Sequence, residues 1–216
     1  MEYNNIKGLI FDLDGVLLST DHYHYLAWKK LADRLGIPFT EKDNERLRGV
    51  SRMESLEIVL SKKDSLCFTE EEKVALATEK NDCYRDYLQQ LTDNDVTEEV
   101  RSTLKELRNR GYLLAVGSSS KNARFILEKT SMTSYFDAIA DGSDIVRSKP
   151  DPEVFENAAQ FLGLEASYCA VVEDAEAGLE AAVRAGMLAI GYAGARDSDL
   201  KAIGLEKFSD LLKIFG

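Results

Sequence analysis

The chain has little cysteine, and the cysteines it has are scattered. Cys67, Cys83 and Cys169 are the three among 216 residues, and none of them forms the CxxC spacing of a zinc site. An odd number of widely separated cysteines is typical of reduced thiols that pack in a cytoplasmic protein. The sequence therefore predicts a cytoplasmic location and no zinc site.

Long apolar runs and an excess of positive charge are also missing. No apolar run approaches the roughly 20 residues that cross a bilayer, and the start of the chain, which has no basic region, predicts no signal peptide. Lysine and arginine number 27 against 38 aspartates and glutamates, which gives a net charge of −11. This charge disfavours nucleic acids and anionic membranes as partners. An anionic substrate would need local cations at its site.

The pattern of apolar residues predicts an α/β fold with a helical insert. A strand pattern at Lys7–Phe11 is followed by helical spacing from Asp21 onwards, and no convincing strand occurs between about residues 18 and 91. After residue 95, helices and strands alternate, which predicts a Rossmann-like parallel sheet with helices on both faces. We expect a core domain of residues 1–17 and 93–216, with an all-helical cap domain of residues 18–92 inserted after the first strand.

Several element boundaries are predicted on the same grounds. The pattern favours helices at Asp43–Leu47 and Met53–Leu60, and a capping box at Thr69-Glu-Glu-Glu72 opens a long helix towards Leu88. A last helix is expected over Phe208–Ile214.

Two carboxylates stand at the end of the first strand. Asp12 and Asp14 follow Leu9-Ile10-Phe11 and precede Gly15. Residues i and i+2 of an extended chain point to one side, so both carboxylates can face one space at the carboxyl edge of the sheet. Their repulsion is relieved by a proton or by a hard cation such as Mg2+. Judged alone, Asp-Leu-Asp-Gly is equally well read as an ordinary polar turn.

Other polar residues are predicted at the same edge. Ser118 follows a second strand, Glu173 and Asp174 follow another, and Lys149 precedes a proline at a helix start. The carboxyl ends of parallel strands meet at one edge, so these groups converge. The set suits phosphoryl transfer. An aspartate would be the nucleophile, a second carboxyl the acid and base, and Mg2+, Lys149 and Ser118 would neutralise the phosphate.

With these motifs in their order, the chain resembles the haloacid dehalogenase superfamily over nearly its whole length. The motifs are Asp12-Leu-Asp14-Gly15, Gly117-Ser118-Ser119-Ser120, Lys149-Pro150-Asp151-Pro152 and Glu173-Asp174-Ala-Glu-Ala-Gly178. The resemblance implies that Asp12 is the nucleophile and Asp14 the acid and base. It also implies a Mg2+ ion held by Asp12, the main-chain carbonyl of Asp14, Glu173 and Asp174, with Ser118 and Lys149 on the phosphate.

Within that superfamily the chain is similar to the β-phosphoglucomutase family. The resemblance implies interconversion of β-glucose 1-phosphate and glucose 6-phosphate through an aspartyl-phosphate and a glucose 1,6-bisphosphate intermediate. It places Arg52, together with Ser120, Lys121 and Asn122, at the phosphate that is not reacting. It also implies that His24 assists the change to the reactive form. The substrate-binding residues expected in this way are Thr20, His24, Trp28, Arg48, Gly49, Val50, Ser51, Arg52, Ser119, Ser120, Lys121 and Asn122. Arg48 stands where that family usually has lysine, which keeps the charge.

Alternatives remain open on the sequence alone. His24 and Trp28 are one helical turn apart and would also fit simple packing of an apolar face. A Mg2+-dependent sugar-phosphate phosphatase of the same superfamily would carry the same core motifs. A receiver-like signalling domain also has paired acids, but it has no helical insert after its first strand and is disfavoured. We expect a small sugar phosphate as the partner, neither nucleic acid nor membrane, and a monomer.

Overall fold

The computed structural model describes residues 3–47, 51–63 and 67–216. Six strands form one sheet in the order β3-β2-β1-β4-β5-β6, and every neighbouring pair is parallel. The strands are β1 (Gly8–Phe11), β2 (Leu113–Gly117), β3 (Ala138–Ala140), β4 (Cys169–Glu173), β5 (Leu188–Gly191) and β6 (Ile203–Gly204). The predicted α/β fold with a parallel sheet is therefore confirmed.

Helices connect the strands and fill the segment between β1 and β2. The α-helices are α1 (Asp21–Leu35), α2 (Glu41–Glu45), α3 (Arg52–Leu60), α4 (Glu70–Leu88), α5 (Glu98–Asn109), α6 (Ala123–Lys129), α7 (Glu153–Leu162), α8 (Glu176–Arg184) and α9 (Leu211–Ile214). In the described part of the chain, no helix is long and apolar enough to cross a membrane.

The chain folds into two compact units. The first, which we call the sheet unit, comprises Met1–Ser19 and Leu91–Gly216, and the second, the helical unit, comprises Thr20–Gln90. The sequence predicts boundaries at residues 17 and 93, two residues from these positions on either side. That each unit is a separate domain remains a prediction.

The sheet unit buries β1 on both of its faces. Ile10 and Phe11 are both fully buried, and consecutive strand residues point to opposite faces. Ile10 belongs to a core cluster that includes Phe155 of α7 and Leu179 of α8. Phe11 packs on the other face, with its ring centroid 6.2 Å from that of Phe136 and 5.7 Å from that of Phe208. Covering on both faces explains why the strand is an unbroken apolar run.

The helical unit has a hydrophobic core of its own. Side chains from α1, α3 and α4 meet there, among them Trp28, Leu31, Leu56, Val59 and Leu76. Three of its helices begin with capping boxes, at Thr40, Ser51 and Thr69. In a capping box, the side chain of the residue that precedes the helix accepts a hydrogen bond from the main-chain amide of the third helical residue. The side chain of that third residue accepts one from the amide of the preceding residue in return.

Several elements differ from the prediction, and helix α3 begins at Arg52 rather than Met53. Helix α2 spans Glu41–Glu45 rather than Asp43–Leu47, because Asp43 acts as the third residue of the box and its Oδ2 accepts from the Thr40 amide at 2.8 Å. The last helix is divided into a 3-10 turn at Phe208–Asp210 and α9. The two-residue strand β6 was not predicted, because so short a segment carries no periodicity.

Candidate active site

The turn after β1 presses the main chain against a carboxylate. Asp12 is buried, and its amide donates to the Val172 carbonyl at 3.0 Å, which extends the pairing of β1 with β4. Gly15 follows with φ of 83°, a conformation that favours glycine. A Cβ on Gly15 would overlap the carboxylate of Asp174. The glycine thus allows the turn and also makes room for the carboxylate of Asp174, which follows the neighbouring strand β4.

Lys149 joins two of the acidic residues directly. Its Nζ donates to Asp12 Oδ1 at 2.5 Å and to Glu173 Oε1 at 2.5 Å, and all three side chains are buried. The ammonium also lies 4.6 Å from the centre of the Phe155 ring. Burial alone would lower the pKa of Lys149, but the charges of Asp12 and Glu173 outweigh it and raise that pKa. Lys149 therefore stays charged, as the site requires.

Glu173 and Asp174 stand at the carboxyl end of β4. Glu173 Oε2 accepts from the amides of Asp174 at 3.0 Å and Ala175 at 3.1 Å, and a Cβ on Gly178 would overlap its carboxylate. Burial raises the pKa of Glu173, while Lys149 opposes the rise. Burial first, and then the charges of Asp12 and Glu173, raise the pKa of Asp174 to about 8.

The same three carboxylates are suited to a metal ion. Asp12, Glu173 and Asp174 each offer an oxygen, and these atoms lie within 4.8 Å of one another. Oxygen donors of this kind are what Mg2+ prefers, and a cation would relieve the repulsion that raises the pKa of Asp174. The residues therefore fit a hard divalent cation. The Asp14 carboxylate is not in the group, and a role for its main-chain carbonyl remains a prediction.

The loop after β2 places predicted phosphate ligands at the same sheet edge as Asp12. β2 is the parallel neighbour of β1, and Ser118 follows it directly. Ser118 Oγ accepts from the Ser120 amide at 3.2 Å, and Ser120 Oγ accepts from the Asn122 amide at 3.2 Å. Ser118 and Asn122 are buried, whereas Lys121 is exposed. These side-chain bonds shape the loop locally.

In the helical unit, His24 forms a compact cluster with a lysine and two aromatic rings. Lys80 Nζ lies 2.8 Å from His24 Nδ1 and 4.7 Å from the ring centres of both Trp28 and Tyr84. The rings of His24 and Tyr84 are 4.0 Å apart. Thr20, also predicted to bind substrate, is fully buried and shares a 2.7 Å hydrogen bond between its Oγ1 and the Tyr84 hydroxyl.

The hydrogen bond between Lys80 and His24 determines the tautomer of the imidazole. A lysine ammonium can only donate, so Nδ1 of His24 accepts and the ring proton lies on Nε2. Burial, then the charge of Lys80, then that of Arg52 lower the pKa of His24 well below its ordinary value. His24 is thus a neutral ring whose Nε2–H is a hydrogen-bond donor.

Trp28 is placed in the core of the helical unit. Its side chain is buried with the apolar residues of α1, α3 and α4, beneath the Lys80 ammonium. Packing is therefore its observed role, and contact with a substrate remains a prediction.

Of the five consecutive residues 48–52 that are predicted to bind substrate, the structure describes only the last two. Ser51 caps α3 by accepting from the Glu54 amide at 3.3 Å, and Arg52 is the first residue of that helix. Burial lowers the pKa of Arg52, and the nearby charges of Asp82 and Tyr84 oppose the change. Arg48, Gly49 and Val50 lie outside the described residues.

Sequence reasoning did not establish Lys80 and Tyr84 as members of the cluster. A signal was present, since the buried residues of α4 include Leu76, Lys80, Tyr84 and Leu88 at intervals of four. A lysine on the buried face of a helix requires a compensating partner, which points to function. The partners themselves come from α1 and are visible only in the fold.

Comparisons with known proteins agree on one family. Residues 6–186 match the family model described as haloacid dehalogenase-like hydrolase. The β-phosphoglucomutase of Bacillus subtilis is 41% identical over 187 residues, covering 86% of this chain and 83% of that protein. A phosphorylated carbohydrates phosphatase of Thermotoga maritima is 29% identical over 187 residues, covering 84% of this chain and 82% of that protein. The crystal structure of β-phosphoglucomutase from Clostridium difficile has a TM-score of 0.87 and 38% identity, covering 95% of this chain and 93% of that one. These matches support an enzyme that acts on phosphate esters.

Proposed function

The chain belongs to the haloacid dehalogenase-like hydrolase family, and on that premise we propose that it is a β-phosphoglucomutase. It would interconvert β-glucose 1-phosphate and glucose 6-phosphate through an aspartyl-phosphate and glucose 1,6-bisphosphate. The observation that supports phosphoryl transfer is the buried group of Asp12, Glu173, Asp174 and Lys149 at one sheet edge. Similarity to the Bacillus subtilis mutase supports the sugar phosphate and the isomerisation.

Asp12 and Asp14 divide the chemistry between them in this proposal. Phosphorylated Asp12 first gives its phosphoryl group to the 6-hydroxyl of β-glucose 1-phosphate, whose proton Asp14 takes, and glucose 1,6-bisphosphate forms. The bisphosphate turns over, so that its 1-phosphate faces Asp12. The Asp12 carboxylate then attacks that phosphorus, the bond to the sugar oxygen breaks as Asp14 gives that oxygen a proton, and glucose 6-phosphate leaves the phosphorylated enzyme.

Positive charge at the reacting phosphate comes from this chain and from a cation. Lys149, which already bonds to Asp12, neutralises charge that develops on the phosphate oxygens, and Ser118 donates a hydrogen bond. Asp12, Glu173 and Asp174 would hold Mg2+, which supplies charge neutralisation at the phosphate.

A mutase also needs groups for the phosphate and the hydroxyl that are not reacting. Arg52, Ser120, Lys121 and Asn122 are our candidates for the second phosphate, and a guanidinium is well suited to bidentate phosphate contacts. The Nε2–H of His24, fixed by Lys80, is our candidate donor to a sugar oxygen.

The second candidate function is a Mg2+-dependent sugar-phosphate phosphatase. The Thermotoga maritima relative carries the name of a phosphatase of phosphorylated carbohydrates. The same core residues would form the aspartyl-phosphate, and water rather than a sugar hydroxyl would receive the phosphoryl group. The paired His24 and Lys80 favour the mutase, because hydrolysis of the aspartyl-phosphate needs no sugar hydroxyl to be positioned.

Product analysis separates the two functions. The enzyme is incubated with β-glucose 1-phosphate, Mg2+ and catalytic glucose 1,6-bisphosphate, and products are followed by phosphorus NMR. We expect glucose 6-phosphate to accumulate, and the Asp12→Asn variant serves as the inactive control. Formation of glucose and inorganic phosphate alone would contradict the mutase and support the phosphatase.

The same proposal includes the setting in which the enzyme works. The enzyme would act in the cytoplasm as a monomer on a small sugar phosphate, without nucleic acid or membrane partners. The net charge of −11 supports the absence of anionic polymers among its partners. Size-exclusion chromatography with light scattering tests the monomer.

A further inference from the structure

The turn after β3 lies directly against the loop that follows β2. The Gly142 amide donates to the Ser120 carbonyl at 3.2 Å. A Cβ on Gly142 would overlap the carbonyl oxygen of Ser119 and would lie 2.8 Å from the amide nitrogen of Lys121. Both atoms belong to the main chain, so neither can rotate away. Gly142 is not in the left-handed region, and it is this close approach that requires a glycine.

Arg124 braces the turn from the first turn of α6. Its Nη2 donates to the Ile139 carbonyl at 2.7 Å and to Asp144 Oδ2 at 3.0 Å, and its Nε lies 3.1 Å from Asp141 Oδ2. Within the turn, the Ser143 amide donates to Asp141 Oδ1 at 2.8 Å, and the Asp141 amide to Asp144 Oδ2 at 2.9 Å. The turn is therefore held in its conformation by several hydrogen bonds and by the ion pair with Arg124.

The Ser118–Asn122 loop is held by fewer side-chain hydrogen bonds at Ser119 than at its neighbours, as far as the described residues show. The hydroxyls of Ser118 and Ser120 each accept from a loop amide. The Ser119 hydroxyl is buried and has no hydrogen-bond partner among the described residues. At Ser119, the close contact with Gly142 takes the place of a side-chain bond.

We propose that Gly142 and Arg124 are positioning residues for the second phosphate. The inference rests on the proposed mutase, in which Ser120, Lys121 and Asn122 bind that phosphate. The turn fixes the height of the loop above the sheet edge, and with it the distance between these donors and Asp12. An added methyl group would displace the loop at Ser119 and Lys121, while the Ser118 amide keeps its hydrogen bond to the Ala140 carbonyl at 3.1 Å. A phosphate would then still bind at Asp12, but a bisphosphate would no longer reach both phosphate sites.

Binding measurements in an inert background test this role. In the Asp12→Asn enzyme, which leaves the bisphosphate intact, Kd is measured by calorimetry with Mg2+ for glucose 1,6-bisphosphate and for inorganic phosphate. Adding Gly142→Ala should weaken bisphosphate binding by about tenfold or more, since small misplacements of positioned groups carry large penalties. Binding of inorganic phosphate, which needs only the site at residue 12, should change less than about twofold by the same reasoning.

Two further variants keep the test decisive. Ser143→Ala changes an exposed side chain of the same turn and should alter neither Kd. Arg124→Gln adds no methyl group to the contact and should weaken bisphosphate binding in the same direction, which preserves the test if Gly142→Ala does not fold.

Each outcome decides one question. Equal affinity of the inert background for the two ligands would overturn the two-phosphate function itself. A bisphosphate preference that both variants leave unchanged would overturn the positioning role alone. Equal weakening of both ligands would also overturn it, because it would indicate general damage to the sheet edge.

Discussion

Lys149 offsets part of the negative charge at the acidic site of a chain whose net charge is −11. Its ammonium is buried and bonded at 2.5 Å to both Asp12 and Glu173, so the two carboxylates are partly compensated before any ligand arrives. Removing Lys149 would leave uncompensated buried carboxylates, which is strongly destabilising. Variants that test the chemistry should therefore keep Lys149 and replace a carboxylate by its amide, which preserves the shape of the side chain.

The first prediction concerns the nucleophile at residue 12. Asp12→Asn keeps the shape of the side chain but is a poor nucleophile, so we expect no detectable turnover of sugar phosphate and no phosphoenzyme. Steady-state assays and intact-protein mass spectrometry after incubation with glucose 1,6-bisphosphate measure both. Asp33→Asn, at an exposed carboxylate of α1, is the control. A phosphorylated Asp12→Asn enzyme would place the nucleophile elsewhere.

The second prediction concerns the neutral imidazole of His24. Lys80→Met removes a charge that lowers the pKa of His24, so that pKa should rise towards its ordinary value of 6.5. Proton and nitrogen NMR of the histidine rings measure it directly, because the chain has 2 histidines. The ring signals of the exposed His22 serve as the internal reference for the comparison of the two proteins. An unmoved His24 titration would show that Lys80 does not act on it electrostatically.

At the scale of elements, the site depends on strands that end together. β1 and β4 are adjacent and in register, so Asp12 and Glu173 emerge side by side although they are far apart in sequence. Gly15 in the turn after β1 leaves space for the Asp174 carboxylate, and Gly178 in α8 leaves space for that of Glu173. The turn after β1 and the first turn of α8 are thus part of the acidic site rather than mere connections.

The third prediction tests Gly15 against a matched glycine. Gly15 (φ 83°) and Gly163 (φ 70°) share the left-handed conformation, but of the two only a Cβ at Gly15 meets another group, the Asp174 carboxylate. Alanine at either position should cost about 1–2 kcal/mol of unfolding free energy from the backbone. Urea denaturation measures that cost.

Only the Gly15 variant should also lose metal binding. Displacing Asp174 removes one of the three carboxylates, so we expect Gly15→Ala to need about tenfold or more Mg2+ for half-maximal activity, as for other disturbed ligands. Gly163→Ala should keep the wild-type requirement. A shared loss of metal affinity would mean that backbone strain, and not the collision with Asp174, is responsible.

At the scale of the whole molecule, the acidic site couples folding to pH. The pKa of Asp174 rises from its ordinary 3.8 to about 8 in the folded chain, chiefly through burial. A carboxyl with a raised folded pKa takes up a proton on folding. Its contribution to stability is complete below the unfolded pKa and is lost as pH rises through the folded one.

The fourth prediction follows for the metal-free protein. In EDTA, the free energy of unfolding of the wild type should fall relative to that of Asp174→Asn between about pH 4 and about pH 8. Urea denaturation at a series of pH values measures the difference. Added Mg2+ should stabilise the wild type more at the alkaline end, because ligands bind metal deprotonated. Parallel pH profiles for the two proteins would contradict the raised pKa.

The sequence by itself determined the architecture and the core motifs of the site. Unbroken apolar runs such as Leu9-Ile10-Phe11 indicate strands of a parallel sheet that is covered on both faces. Carboxylates directly after such strands must lie at the carboxyl edge of that sheet. Helical spacing from Asp21 onwards indicated the insert. These conclusions depend on local periodicity and on the geometry of parallel sheets, both of which can be read along the chain.

Only the tertiary structure decided which groups touch. Lys80 meets His24 across two helices, Lys149 bridges Asp12 and Glu173, and Gly142 supports the Ser118–Asn122 loop from another strand. Each contact joins residues that are distant in sequence, and its partners depend on how neighbouring elements pack. The pKa values that tune the site follow from that packing, since burial and nearby charge are properties of the folded chain and not of a motif.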